Sequence, residues 1–124
     1  MTRPPFILAA LAAFMGAGGV GLAAAAEHAR GGDLGRTAAQ FLILHAAAAL
    51  GIAAHARVTS ASPRGLVAVG LVMEAGAALF AADLATRAFA GERLFPFAAP
   101  IGGSTMILSW LGLAVLFAAA ARPR

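Results

Sequence analysis

Three ionisable side chains, Glu74, Asp83 and Arg87, lie in an apolar stretch that runs from residue 71 to residue 90, LVMEAGAALFAADLATRAFA. An unpaired charge in hydrocarbon costs about 3 kcal/mol or more, so each group must be paired, hydrated or neutralised by protonation. Carboxyl groups inside membrane proteins are also the groups from which proton relays are built. These side chains are therefore the first candidates for chemistry in the chain.

The two carboxyl groups have different local partners. Asp83 and Arg87 are four residues apart, which predicts a structural ion pair on the surface of a helix at the membrane edge. Glu74 has no arginine within reach on its own helix, so burial favours its neutral, hydrogen-bond-donating form unless another side chain takes the proton. We expect Glu74 to join neighbouring helices through hydrogen bonds. The alternative is a role in proton transport.

Depth along antiparallel helices suggests partners for both acids. Glu74 and His45 both lie near mid-membrane, and Asp83 and Gln40 both lie near the far interface. However, His45 and Gln40 diverge by about 140° around their helix, and the two acids diverge by about 180° around theirs. A single pair of straight helices therefore cannot form both the Glu74–His45 contact and the Asp83–Gln40 contact. One acid should therefore face another helix or a neighbouring molecule, and Ser109 is the fourth-helix candidate near the depth of Glu74.

The sequence gives little support for a metal, a cofactor or an enzyme. His45 and His55 are roughly 15 Å apart along one helix, and His28 lies on the opposite side, so only a homodimer could pair two copies of His45. Cysteine is absent, which excludes thiolate sites. Residues 16–21, GAGGVG, match G-x-G-x-x-G but lack the preceding strand and the later acid of a dinucleotide site. We expect no metal, no cofactor and no enzymatic activity.

The composition indicates that lipid is the main solvent of this chain, because 61% of its 124 residues are apolar and its mean hydropathy is +0.88. Four apolar blocks each approach the roughly 20 residues that a spanning helix needs, at about 5–26, 37–56, 66–90 and 100–121. Separators rich in glycine, serine, proline and charge join them. The expected fold is all-α, a single domain (1–124) of four transmembrane helices in an antiparallel bundle. The first block also resembles a cleavable secretory leader, and we expect a retained helix.

Charge indicates an orientation but no nucleic-acid partner. All nine basic residues are arginines, and they are scattered between apolar blocks instead of forming a basic stripe. One side has Arg3, Arg57, Arg64, Arg122 and Arg124, and the other has Arg30, Arg36, Arg87 and Arg93 together with four acids. The positive-inside rule then places both termini in the cytoplasm.

Small residues predict a packing surface. Ala13, Ala17 and Gly21 recur every four residues in the first helix, as do Ala12 and Gly16, so one side is flat enough for close backbone approach, internally or between protomers. The packing residues that we predict are Ala13, Gly16, Ala17, Gly21, Gly102 and Gly103. The predicted role is a non-enzymatic packing module, either a homo-oligomer or an accessory subunit of a larger membrane complex. The alternative is a small proton-coupled transporter or channel that uses Glu74.

Three segments carry a family resemblance. They are QFLILHAAAALGIA with His45, GAALF ending at Phe80, and APIGGSTMILSW with Pro100, Gly102, Gly103 and Trp110. Together they resemble the small four-helix inner-membrane family known as domain of unknown function 423, over roughly residues 16–110. The resemblance implies a four-span inner-membrane protein without an established activity.

The chain departs from that family pattern at three places. Gly21 stands where such proteins usually carry a histidine, and Phe41 stands where an aromatic hydroxyl is usual. Residues 81–83, Ala-Ala-Asp, replace small and hydroxyl residues after Phe80. The resemblance therefore carries no first-helix histidine to this chain, and Glu74 and Asp83 belong to a rearranged polar interior.

Overall fold

The protein consists of four helices, and the computed structural model describes residues 3–28 and 32–123. The helices are α1 (Arg3–His28), α2 (Gly32–Val58), α3 (Pro63–Ala90) and α4 (Ala98–Ala120). Each is long and apolar enough to cross a membrane, and the described ranges contain no strand. The all-α, four-span membrane fold predicted from the sequence is confirmed. Arg30 and Arg124, which were counted for the predicted orientation, lie outside the described residues.

Short connections keep consecutive helices antiparallel. Pro63 occupies the start of α3, where its missing N–H removes no helical hydrogen bond. The same helix ends at Gly91, whose φ of 76° lies in the left-handed region and whose N–H donates to the carbonyl of Arg87. Such a left-handed glycine satisfies a terminal carbonyl and turns the chain. The turn leads through residues 91–97 into α4.

The central pair of the fold is α2 with α3. Helix α1 packs along α2 and also touches α3, whereas α4 packs along α3. Within the described part of the chain, α1 and α4 do not pack against each other. On α2, Ala46 faces α1 and His55 faces α4. The bundle is therefore open, with its first and last helices on different sides of the central pair.

Two apolar clusters stabilise the packing. The larger lies toward the end where α1 and α3 begin and consists of Leu8, Ala12, Ala49, Ile52, Ala53, Ala56, Leu66, Val67, Met73 and Leu113. The smaller lies toward the other end and consists of Ala38, Ala81, Leu84 and Ala99. Both are rich in alanine, because small side chains let membrane helices approach closely. Three buried polar residues, His45, Glu74 and Ser109, lie between the two clusters in sequence on their respective helices.

The closest approach of α3 and α4 is at Gly76 and Gly102. A Cβ atom added at Gly102 would lie 2.7 Å from the carbonyl oxygen of Gly76 and 2.7 Å from the backbone nitrogen of Phe80. Both neighbours are backbone atoms, so they cannot move aside as a flexible side chain can. Glycine at position 102 is therefore required for this contact.

Candidate functional site

Glu74 is the buried polar residue that the fold leaves without a partner. Its side chain lies near the middle of α3 and the residue is 3% exposed. Neither Oε1 nor Oε2 has a hydrogen-bond partner among the residues that the structure describes. A buried polar group without a partner costs about 1–3 kcal/mol, so native structures contain few of them. Glu74 is therefore the first candidate for a functional group in this chain.

Its position on α3 explains why the predicted partners do not reach it. At 100° per residue, Glu74 lies about 40° around the helix from Gly70 and about 160° from Gly76. Position 70 faces Leu8 of α1 and Ile52 of α2, whereas position 76 faces Thr105 of α4. Glu74 therefore lies on the side of α3 that faces α1 and α2, away from α4.

The surroundings of Glu74 are small and apolar at its depth. Helices α1 and α3 run in parallel and Leu8 lies level with Gly70, so Ala12, one turn further on, lies level with Glu74. On the antiparallel α2, Ala49 lies three residues before Ile52 and therefore close to the same level. Both alanines are 0% exposed. Neither offers a hydrogen-bonding side chain to the carboxyl group.

His45, the predicted partner of Glu74, is fully engaged elsewhere. Its Nδ1 lies 2.8 Å from the carbonyl oxygen of Phe41, and Trp110 Nε1 donates a 3.2 Å hydrogen bond to its Nε2. A carbonyl can only accept, so we assign the hydrogen to Nδ1 and the lone pair to Nε2. Both ring nitrogens of the neutral imidazole are then satisfied. The contact between Glu74 and His45 expected from depth does not form.

Aromatic side chains join three helices around His45. The ring centroid of Phe41 lies 5.9 Å from that of His45 and 4.8 Å from that of Phe80, and Trp110 meets His45 edge-on at 6.0 Å. The cluster thus links α2, α3 and α4. Sequence reasoning did not assign Trp110 as the partner of His45. The signal was present, since a tryptophan N–H in a membrane helix needs an acceptor.

Asp83 stabilises the turn between α3 and α4. Its Oδ2 pairs with Arg87 Nη2 at 2.6 Å, as the four-residue spacing predicts, and its Oδ1 accepts a 2.8 Å hydrogen bond from the N–H of Leu94. The residue is 1% exposed, so the pair is buried on the Asp83 side instead of lying on the helix surface as expected. Gln40, matched to Asp83 by depth, is exposed and makes no hydrogen bond to it.

Ser109 does not form a hydrogen bond with Glu74. The serine is buried, and its hydroxyl donates a 2.8 Å hydrogen bond to the carbonyl of Thr105 on its own helix. Among residues 3–28 and 32–123, no three histidine, aspartate or glutamate side chains come together as a metal site requires. The polar residues named from the sequence thus form separate local contacts and not one site.

The predicted packing residues divide between the inside and the outside of the bundle. A Cβ atom at Gly16 would lie 3.6 Å from Ala46, so this glycine faces α2, and Gly102 and Gly103 face α3. Ala13, Ala17 and Gly21 are exposed on the outer side of α1. The glycine that packs α1 tightly on α2 is Gly19, where a Cβ would lie 2.7 Å from Ile43 Cγ1. Sequence reasoning missed it because the four-residue pattern runs through Gly21.

The family model described as protein of unknown function (DUF423) matches residues 8–103. The chain belongs to the DUF423 family. This DUF423 match includes His45, Glu74 and Phe80 and ends before Trp110, so the family model covers the α2 and α3 parts of the aromatic cluster and not the α4 part. No solved structure matches the chain. Because the DUF423 description names no activity, a functional interpretation depends on the geometry of the helices.

Proposed function

We propose that this DUF423 protein is a non-enzymatic packing module of the membrane, and that it associates with a second copy through the outer face of α1. We define the outer face of α1 as Ala10, Ala13, Ala17, Gly21 and Ala24, all of which are exposed. At 100° per residue these five positions fall within about 80° of arc, roughly opposite the buried positions Leu8 and Ala12. They form one strip of small residues along the helix.

The main support for this proposal is that two glycines of α1 have no packing role inside the chain. A Cβ atom added at Gly21, or at Gly18 beside the strip, would have nothing within 4 Å. Glycine inside a helix costs about 1 kcal/mol relative to alanine. Packing inside the chain gives no reason for either glycine, whereas a helix from another molecule can approach closely along such a surface. A second copy presents the same strip and is therefore complementary to it.

Native mass measurement in mild detergent tests the proposal with two matched variants. Gly21→Leu places a bulky side chain on the outer face of α1. Gly51→Leu makes the same change on α2, at an exposed glycine that also has nothing within 4 Å of an added Cβ. We expect dimers for the wild type and Gly51→Leu, and monomers for Gly21→Leu.

Two other outcomes decide between assemblies. If wild-type protein co-purifies with a different membrane protein at fixed stoichiometry and Gly21→Leu loses it, the chain is an accessory subunit. A wild-type chain that is strictly monomeric, with no co-purifying protein, contradicts the packing-module proposal.

A second candidate function, a small proton-coupled transporter or channel, is favoured by Glu74 alone. Its carboxyl oxygens have no partner within the described residues. A carboxyl group in an apolar bundle that gains and loses a proton would serve such a role. The test is proton release from purified protein between roughly pH 6 and 8, the range in which a physiological proton carrier works. Glu74→Gln should abolish the release and leave assembly intact, and Glu92→Gln, which removes an exposed carboxyl, should not alter it.

In the orientation that we propose, the chain lies in a bacterial-type inner membrane and both termini are on its cytoplasmic side. Among the described residues, four arginines lie at the end of the bundle where α1 and α3 begin, namely Arg3, Arg57, Arg64 and Arg122, and three lie at the other end, namely Arg36, Arg87 and Arg93. The positive-inside rule supports this assignment. A C-terminal fluorescent fusion should be bright and a C-terminal phosphatase fusion inactive, and the reverse pattern would invert the orientation.

A further inference from the structure

A cavity of about 810 Å³ opens at the end of the bundle where α1 and α3 begin and α2 ends. Three arginines and three hydroxyl side chains line it, namely Arg3, Arg57, Arg64, Thr59, Ser60 and Ser62. Among the described residues, no acidic side chain lines this cavity. Its chemistry is therefore that of an anion site, with positive charge and hydrogen-bond donors around one space.

The cationic side chains of this cavity differ from Arg36 and Arg87 at the opposite end of the bundle. Arg36 pairs with Glu27 and Asp33, and Arg87 pairs with Asp83. Within the described residues, Arg3, Arg57 and Arg64 form no ion pair. Acids thus neutralise Arg36 and Arg87 at the opposite end of the bundle, whereas the three cavity arginines are available to a ligand.

Two contacts shape the cavity before any ligand arrives. The guanidinium carbon of Arg57 lies 4.5 Å from the ring centroid of Phe6. This cation–π contact holds the Arg57 side chain, which belongs to α2, against α1. Thr59 Oγ1 accepts a 3.1 Å hydrogen bond from the N–H of Ala61, which leaves the hydroxyl hydrogen of Thr59 to donate elsewhere. This bond holds residues 59–61 of the loop that lines the cavity in a fixed turn.

The rest of the lining is apolar, formed by Pro4, Pro5, Pro63, Ala56 and Val67. The cavity lies at the ends of the spanning helices, the level at which lipid headgroups meet the hydrocarbon of a bilayer. Basic pockets between membrane helices at this level bind phosphate-bearing headgroups. We propose that this cavity binds a phosphate group, and that an anionic phospholipid at the membrane surface supplies it.

The proposal does not depend on self-association, because none of the cavity residues belongs to the outer face of α1. It predicts selectivity for phosphate over an uncharged glycerol headgroup. It also predicts that the three lining arginines matter more than an arginine at the same membrane surface outside the cavity. Arg122 is that control, since it is exposed, lies just after α4 at the same end, and does not line the cavity.

Native mass spectrometry of the full chain in detergent tests this with phosphatidylglycerol and phosphate-free diacylglycerol as probes. We expect phosphatidylglycerol adducts on the wild type and on Arg122→Gln. The triple variant Arg3→Gln, Arg57→Gln, Arg64→Gln should bind about a hundredfold more weakly, from roughly fivefold for each arginine removed near an anionic lipid. Arg64→Gln alone, at an exposed position, should bind about fivefold more weakly and serves if the triple variant does not fold.

Inorganic phosphate as a competitor distinguishes the two sources of a phosphate group. If it leaves the phosphatidylglycerol adduct unchanged, the headgroup is held together with its lipid. If it displaces the adduct, the cavity is a site for soluble phosphate, and the shared chemistry stands. Equal binding of both lipids, or a loss in Arg122→Gln as large as in Arg64→Gln, would overturn the proposal.

Discussion

At the scale of single residues, most buried polar groups of this protein are satisfied by their own helix. His45 and Ser109 each direct a donor to the carbonyl four residues earlier, at 2.8 Å in both cases. A hydroxyl or an imidazole N–H can make this bond, but an ionised carboxylate has only acceptors. Glu74 can donate in this way only when it is protonated. The buried carboxyl of Asp83 instead accepts from Arg87 and from the Leu94 N–H, whereas no described group donates to Glu74.

The bond between Trp110 and His45 gives a testable stability effect. Trp110→Phe removes the N–H that Nε2 of His45 accepts and should destabilise the fold by about 1 kcal/mol, the usual scale of a hydrogen bond between membrane helices. Unfolding in mixed micelles measures the change. A double-mutant cycle with His45→Phe isolates the pair, and additive effects of the two single changes would show that the bond contributes nothing.

Asp83 should be sensitive to the loss of its acceptors more than to the loss of its charge. Asp83→Leu leaves the Leu94 N–H and the Arg87 guanidinium without their partner and should cost about 3 kcal/mol. Asp83→Asn keeps an oxygen for the Leu94 N–H and should cost roughly 1 kcal/mol. The same unfolding measurement ranks the two variants, and equal stabilities would contradict the proposed role of Leu94.

The sequence allowed the buried polar residues to be named more reliably than their partners. Glu74, His45, Asp83 and Ser109 were all candidates and all are buried, whereas Gln40 is exposed. Spacing along one helix predicted the Asp83–Arg87 pair, because both residues share that helix. Depth matching failed for contacts between helices, since the rotation of each helix about its axis and the use of backbone acceptors cannot be read from depth.

At the scale of elements, α3 organises the protein because it presents different faces to its neighbours. Gly70 admits Leu8 of α1 and Ile52 of α2, and Gly76 admits Thr105 of α4. The number and order of the four spans followed from hydropathy alone, since every helix must cross the hydrocarbon, but α2 begins at Gly32 and not near residue 37. Which glycine serves a helix contact followed only in part: Gly102 was predicted, but Gly19 was missed and Gly21 is exposed, because exposed and buried glycines have the same local pattern.

Two adjacent glycines of α4 provide a matched test of the contact between α3 and α4. Gly102→Ala forces a Cβ atom against the backbone of Gly76 and Phe80 and should destabilise the fold by about 2–3 kcal/mol. Gly103→Ala places its Cβ 3.9 Å from the ring of Phe80, an ordinary contact, and should be neutral or slightly stabilising. Thermal unfolding compares them. A Gly102→Ala variant as stable as Gly103→Ala would contradict the close approach.

At the scale of the whole molecule, the open bundle explains why assembly is the function that we favour. Most of α1 and α4 remains uncovered by the described chain, whereas α2 and α3 are more fully packed. Lipid can cover apolar side chains such as Ile107 and Leu108, both strongly exposed. A strip of alanine and glycine makes little contact with lipid, and its small side chains let the backbone of another helix approach closely. The outer face of α1 is therefore the surface through which we propose that two copies associate.

Cysteine cross-linking in native membranes tests that surface most directly, because the protein contains no cysteine of its own. A residue at the middle of a two-fold contact meets its own copy, and two cysteines can form a disulfide when their Cα atoms come within about 7 Å. Ala17→Cys, at the centre of the outer face of α1, should yield a disulfide-linked dimer on mild oxidation, and Gly51→Cys on α2 should remain monomeric. No dimer from Ala17→Cys, or equal cross-linking of both variants, would contradict association through α1.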